Sequence, residues 1–132
     1  MYPHRIRLRG PWEYEALSSQ GGGLPPPGRM TMPCRWNDGG LAGFSGRVRF
    51  RRHFGYPGRI DSFERVWLTF AGVAGSAEVW LNGHFLGRPQ EGPFEFDVTS
   101  HLQNRNVLEV DVEGPEDGGL WGEVALEIRE AR

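Results

Sequence analysis

Residues Arg65 to Leu108 read RVWLTFAGVAGSAEVWLNGHFLGRPQEGPFEFDVTSHLQNRNVL. Val66, Leu68 and Phe70 alternate with Trp67 and Thr69, and Ala77, Val79 and Leu81 alternate with Glu78 and Trp80. Phe94, Phe96 and Val98 alternate with Glu95 and Asp97. Side chains two apart on a strand share a face, so each run predicts a strand with one buried and one wet side. Asn82-Gly83 between two such runs predicts a two-residue hairpin, because both residues tolerate the positive φ of a type I′ turn. Thr99-Ser100-His101-Leu102 reads as one helical turn, with Asp97 or Thr99 as its cap.

The same rhythm extends outward in both directions. Ile6 and Leu8 alternate with arginines in a first short strand, and Trp12 to Leu17 forms a second. Gly46 to Phe54 is a long strand with Val48 and Phe50 inward, joined by Arg52 and Phe54, and Arg47, Arg49, Arg51 and His53 outward. Leu108, Val110 and Val112 form a further inward set, and Val124, Leu126 and Ile128 the last. The chain holds 20 glycines and 10 prolines, and they fall between the apolar runs rather than inside them. Residues 21–28, GGGLPPPG, are a loop that cannot pair within a sheet. No window carries a helical i, i+3, i+4, i+7 stripe. About nine or ten short strands with one-sided burial predict an all-β fold, two sheets packed face to face. The strand count and long crossovers favour a jelly-roll β-sandwich over an immunoglobulin-type one.

A chain of 132 residues is one domain, residues 1–132, with room for a real core. The formal net charge of −2 excludes an electrostatic case for nucleic acid or an anionic membrane as partner. Cys34 is the single cysteine, so no intramolecular disulfide exists and the residue reads as a small hydrophobe. Neither a signal peptide nor an apolar span is visible, which sets the expectation of a soluble cytoplasmic protein.

Seven segments in order resemble the N-terminal sugar-binding domain of glycoside hydrolase family 2, the β-galactosidase, β-mannosidase and β-glucuronidase group. They are Gly10-Pro11-Trp12-Glu13, Met32-Pro33-Cys34-Arg35-Trp36, Arg49 to Phe54, Val66 to Val73 with Ala77 to Gly83, Gly92 to Thr99, Asn106 to Val110, and Gly118 to Val124. The resemblance implies a galactose-binding-like jelly roll. In that family two catalytic Glu residues sit on a TIM barrel beyond an intermediate immunoglobulin-like domain, and a chain this short cannot hold them. Two departures stand out: the loop Glu113 to Asp117 is short where many relatives carry an acidic residue toward substrate, and Gly122 replaces the usual arginine.

Retaining glycoside hydrolysis needs two carboxyl groups about 5–5.5 Å apart. Glu78, Glu95, Glu109, Glu123 and Glu127 alternate with core residues and read as solvent-face positions, so the chain is not expected to be an enzyme. No nucleophile-elbow, P-loop or zinc-protease motif occurs. His4, His53, His84 and His101 show no ligand spacing, so no metal site is expected and no cofactor is assigned; a structural calcium in a loop is the single alternative.

Sugar binding has the best chemical basis, since sugar C–H faces stack on aromatic rings and hydroxyls pair with carboxylates, amides and guanidinium forks. Trp36 beside Asn37 and Asp38, and Trp121 near Asp117, form the candidate cleft if their loops meet at one end of the sandwich; each tryptophan reads equally as a core plug. Trp67 and Trp80 lie on the outward phase of their strands, either as an interface patch or covered by a neighbouring segment. The row Arg47, Arg49, Arg51 reads as a solvated face paired across strands, or as a site for an acidic sugar or sulfate. The leading expectation is therefore a non-catalytic carbohydrate-binding module. The alternatives are a structural or interaction module, as a homodimer or the partner of a separate glycosidase, and a fragment of a longer glycoside hydrolase.

Overall fold

The structure, a computed structural model, describes residues 2–36, 40–89, 92–114 and 122–131. Among these residues ten strands form: β1 (His4–Arg7), β2 (Trp12–Ser19), β3 (Gly28–Met30), β4 (Gly46–Gly55), β5 (Glu64–Phe70), β6 (Ser76–Leu81), β7 (His84–Gly87), β8 (Phe94–Asp97), β9 (Arg105–Gly114) and β10 (Val124–Glu130). A four-stranded sheet runs β1-β10-β5-β8 and a six-stranded sheet runs β3-β2-β4-β9-β6-β7. Every pairing is antiparallel. The β-sandwich expected from the alternation is thus the observed architecture. Consecutive strands switch between sheets, as in β4 to β5 and β5 to β6, so the connections cross over the ends of the sandwich.

The inward sets assemble as the period-two pattern requires. Val48 and Phe50, Val66 to Phe70, Val79 and Leu81, Leu108 to Val112, and Val124 to Ile128 supply the buried rows. Trp12 closes the core from β2, and its indole Nε1 donates to the Leu8 carbonyl at 2.7 Å. Leu8 is buried just beyond β1, whereas Ile6 within β1 is 39 % exposed, because β1 is an edge strand whose four residues all reach solvent. Along β4 the alternation ends after Phe50; Arg52 and Phe54 are half-buried, and Arg52 turns its Nη1 back onto the His53 carbonyl.

The predicted hairpin joins β6 to β7, with Asn82 at φ 51° and Gly83 at φ 82°. Thr99–His101 form one turn of 3₁₀ helix. Val98 stands at its N-cap without a side-chain cap, so neither Asp97 nor Thr99 is the cap; the Asp97 Oδ1 instead accepts the Thr99 N–H at 3.0 Å and the Thr99 hydroxyl at 2.7 Å, a local turn at its entry. The departure at Gly122 has a packing reason. A Cβ there would lie 2.4 Å from the Gly72 nitrogen and 2.7 Å from the Ala71 carbonyl carbon, so this backbone crossing admits only hydrogen.

Candidate functional site

The structure buries Trp36, the one expected cleft residue that it describes. Trp36 is fully buried, packed edge-on against Phe44 with ring centroids 5.3 Å apart, and its carbonyl accepts the Leu41 N–H. A ring with no exposed face offers nothing for a sugar to stack on, so the core plug is the correct reading of this tryptophan. Its expected neighbours Asn37 and Asp38, and the second arm Asp117 and Trp121, lie outside the described residues. The loop end does carry a groove of about 450 Å³, between residues 19–25 and 40–45. Its lining is glycine-rich, with Leu24, Pro25, Leu41 and Phe44 and no charged side chain.

Trp67 and Trp80 do not share a face. Trp67 is on β5 of the four-stranded sheet and Trp80 on β6 of the six-stranded sheet. Both point outward, so they lie on opposite sides of the sandwich. The Arg129 guanidinium sits 4.9 Å from the Trp67 ring centre, which covers that indole with a cation–π contact. Trp80 tilts against Phe85 at 5.5 Å, with Arg88 over Phe85 at 5.1 Å.

The outer face of the four-stranded sheet carries a polar groove. It measures about 580 Å³ and runs across β1, β10, β5 and β8. Arg5, Thr69, Glu95, Glu123, Glu127 and Arg129 line it, and Ala71, Pro93 and Phe94 form its apolar end. The register explains the convergence: Arg5 stands opposite Glu127, Glu127 opposite Trp67, and Thr69 opposite Glu95, all on the outward phase. Arg5 donates to Glu123 at 3.0 Å and to Glu127 at 2.8 Å. Arg129 donates through Nε to Glu127 at 2.8 Å and through both terminal nitrogens to Glu95 at 3.1 and 2.6 Å. Arg7 reaches Glu123 at 3.1 Å from the rim. Partly exposed ion pairs each add about 0–1 kcal/mol to stability. Their stronger effect is to fix carboxylates and forks in one arrangement on a rigid sheet.

Glu127 corrects the solvent-face expectation. It is 7 % exposed, because β10 is an interior strand and two arginines close over its carboxylate. The hydrogen bond from Arg5, then that from Arg129, holds its pKa below the usual carboxylate value, and Arg129 does the same for Glu95. A folded-state pKa below the unfolded one contributes stability that is present above the unfolded pKa and lost as pH falls through the folded one. Thermal melts are therefore expected to show Tm falling below about pH 4.5, and less steeply in Glu127→Gln. Equal acid dependence in both proteins would show that this lattice is not the source.

On the opposite sheet the arginine row is neutralised internally. Arg49 is bidentate to Asp111 at 2.8 and 3.0 Å, and Arg47 bonds Asp111 at 3.1 Å and also Glu78. Arg51 bonds Glu109 at 3.0 Å, and Arg88 bonds Glu78 at 2.6 Å. Asp111, 2 % exposed, is the partner the sequence pattern missed; it stands on the outward phase of β9 between inward Val110 and Val112. The fold also brings His84 and His101 to 4.9 Å between ring centres, a pair that sequence spacing does not reveal. Among the described residues no group of three or more His, Cys, Asp or Glu side chains is placed to hold a metal ion. Among them, too, no helix is long and apolar enough to cross a membrane.

Comparison with known proteins adds kinship to this geometry. Residues 45–120 match the family model described as glycosyl hydrolase 2 galactose-binding domain-like. A β-glucuronidase of Formosa agariphila is 38 % identical over 80 residues, which is 58 % of this chain and 8 % of that protein. A β-galactosidase large subunit of Leuconostoc lactis is 44 % identical over 52 residues, 37 % of this chain and 8 % of that protein. Among solved structures, the β-glucuronidase of Bifidobacterium dentium in complex with coumarin-3-O-glucuronide superposes with a TM-score of 0.82 at 24 % identity, covering 98 % of this chain and 30 % of that one. The β-glucuronidase of Faecalibacterium prausnitzii gives 0.80 at 20 % identity, covering 98 % and 32 %. At these identities the superpositions establish the fold. The matched curated relatives are many times longer than the region they share with this chain.

Proposed function

The chain belongs to the glycosyl hydrolase 2 galactose-binding domain-like family, and from that premise we propose that it is a non-catalytic carbohydrate-recognition domain serving a β-glycosidase. It corresponds to the N-terminal domain of family 2 enzymes, and its 132 residues contain no catalytic barrel. Kinship alone does not assign a ligand, because function resides in the site and not in the fold. The observation that carries the reading is the groove on the four-stranded sheet. It joins fixed carboxylates and guanidinium groups to an apolar end at Pro93 and Phe94, the mixture that a polyhydroxylated ring with apolar C–H faces requires. Titration calorimetry against a panel of monosaccharides and methyl glycosides tests it. Binding on the order of millimolar or tighter is expected, lost in Arg129→Ala and retained in a loop-end variant such as Leu24→Ser. A full panel without heat of binding would remove the reading.

One observation favours a second role, assembly. β7 is an edge strand, and Phe85 on it is 47 % exposed while resting against Trp80. An exposed ring backed by a half-buried tryptophan on an open sheet edge suits a protein contact, either with a second copy or with a glycosidase partner. Light scattering on the Phe85→Ser variant separates the two roles, since that change leaves the groove intact.

A further inference from the structure

Resting on the reading of the four-stranded-sheet groove as a saccharide site, we infer that it takes neutral hexopyranosides and excludes uronic acids. The lining sets three carboxylates, Glu95, Glu123 and Glu127, against two guanidinium groups, Arg5 and Arg129. A guanidinium fork without an ion-pair partner is the strongest side-chain receptor for a ligand carboxylate. Neither guanidinium is free of an internal carboxylate partner. Both terminal nitrogens of Arg129 bond Glu95 and its Nε bonds Glu127, while the terminal nitrogens of Arg5 divide between Glu123 and Glu127. Arg7 at the rim is engaged by Glu123. An entering carboxylate would compete with a glutamate for either guanidinium and lie beside it, two like charges in one site.

The same lattice suits a neutral sugar. Each ionised carboxylate has about four lone-pair directions, and the arginines occupy only some of them. Hydroxyl groups arrive as donors and fill the remainder without disturbing an ion pair. Thr69 adds a hydroxyl whose hydrogen is directed at the Ala125 carbonyl at 3.3 Å, leaving its lone pairs for a ligand hydroxyl. The groove is therefore rich in acceptors, and each of its guanidinium groups is already ion-paired.

The test is an NMR titration of the whole chain at pH 7 with methyl β-galactopyranoside, methyl β-glucopyranoside and methyl β-glucuronide, on the native protein and on Glu95→Gln. Shifts at Thr69, Glu95 and Arg129 are expected with a neutral glycoside, and binding of the glucuronide about tenfold or more weaker. Glu95→Gln removes one negative charge and releases the Arg129 fork, so glucuronide affinity is expected to rise to within about threefold of the neutral glycoside. A glucuronide that binds the native groove as well as the neutral sugars overturns the selectivity while leaving the groove reading standing. An unchanged glucuronide affinity in Glu95→Gln overturns its charge basis. If no glycoside shifts these residues, the groove reading itself fails and the selectivity with it.

Discussion

Trp36→Ala is expected to lower the stability of the whole domain by about 3–5 kcal/mol, the usual cost of emptying a large aromatic from a core. That is a large share of the roughly 5–15 kcal/mol that a domain has in total. The basis is complete burial against Phe44 at the loop end of the sandwich. Trp12→Ala is expected to cost at least as much, since Trp12 is equally buried and also hydrogen-bonded to Leu8. Phenylalanine separates packing from hydrogen bonding. The Trp36 Nε1 is buried without an acceptor among the described residues, so Trp36→Phe removes an unsatisfied donor together with some volume. Trp12→Phe instead orphans a carbonyl, at a further cost of about 1–3 kcal/mol. Urea melts should therefore rank Trp12→Phe as the more damaging of the two. Native stability in Trp36→Ala, together with lost sugar binding, would return Trp36 to the surface role that its burial denies.

The period-two alternation made the inner faces legible. Val66, Leu68 and Phe70 occupy the buried phase of β5 because a one-residue slip would turn all three to water. Asn82-Gly83 was readable for a similar local reason, as few other pairs accept two consecutive positive φ values. What alternation cannot report is which strand lies beside which. Trp67 and Trp80 share an outward phase in sequence, yet their strands belong to different sheets, and only the crossover after β5 separates them. Glu127 and Asp111 look like ordinary wet-face carboxylates for the same reason. Their burial follows from the central positions of β10 and β9, where flanking strands place arginines over them. The groove is a product of such neighbours: Arg5 and Glu127 are 122 positions apart in the chain. Trp36 failed as a site residue because a loop tryptophan beside polar residues has the same local sequence whether it faces water or plugs the end of a core.

Asn106→Leu is expected to be the most damaging single change outside the apolar core, at about 3 kcal/mol, because it leaves several buried polar groups without partners. Asn106 is 1 % exposed. Its Oδ1 accepts the Gln103 N–H at 2.8 Å and the Asn82 side-chain amide at 2.9 Å. Its Nδ2 donates to the Gln103 carbonyl at 2.9 Å and the Phe54 carbonyl at 3.4 Å. Asn82 extends the set, donating to the His101 carbonyl at 2.9 Å and accepting the Val107 N–H at 2.8 Å. These two amides tie the β6–β7 hairpin to the 3₁₀ turn and to the start of β9, and so fix the register of the six-stranded sheet from one end. Leucine matches the shape of asparagine and none of its hydrogen bonds, so the loss isolates the polar network. A double-mutant cycle with Asn82→Ala should show the paired change costing less than the sum by about 1 kcal/mol, since each single change already breaks the shared bond. Additivity within about 0.3–0.5 kcal/mol would mean that the two side chains act independently. The groove lies on the other sheet, and in folded Asn106→Leu its sugar affinity should match that of the native chain. A matching loss of binding would instead show that the sheets are coupled through the 3₁₀ turn, whose Thr99 hydroxyl accepts the Val66 N–H of β5 at 2.8 Å.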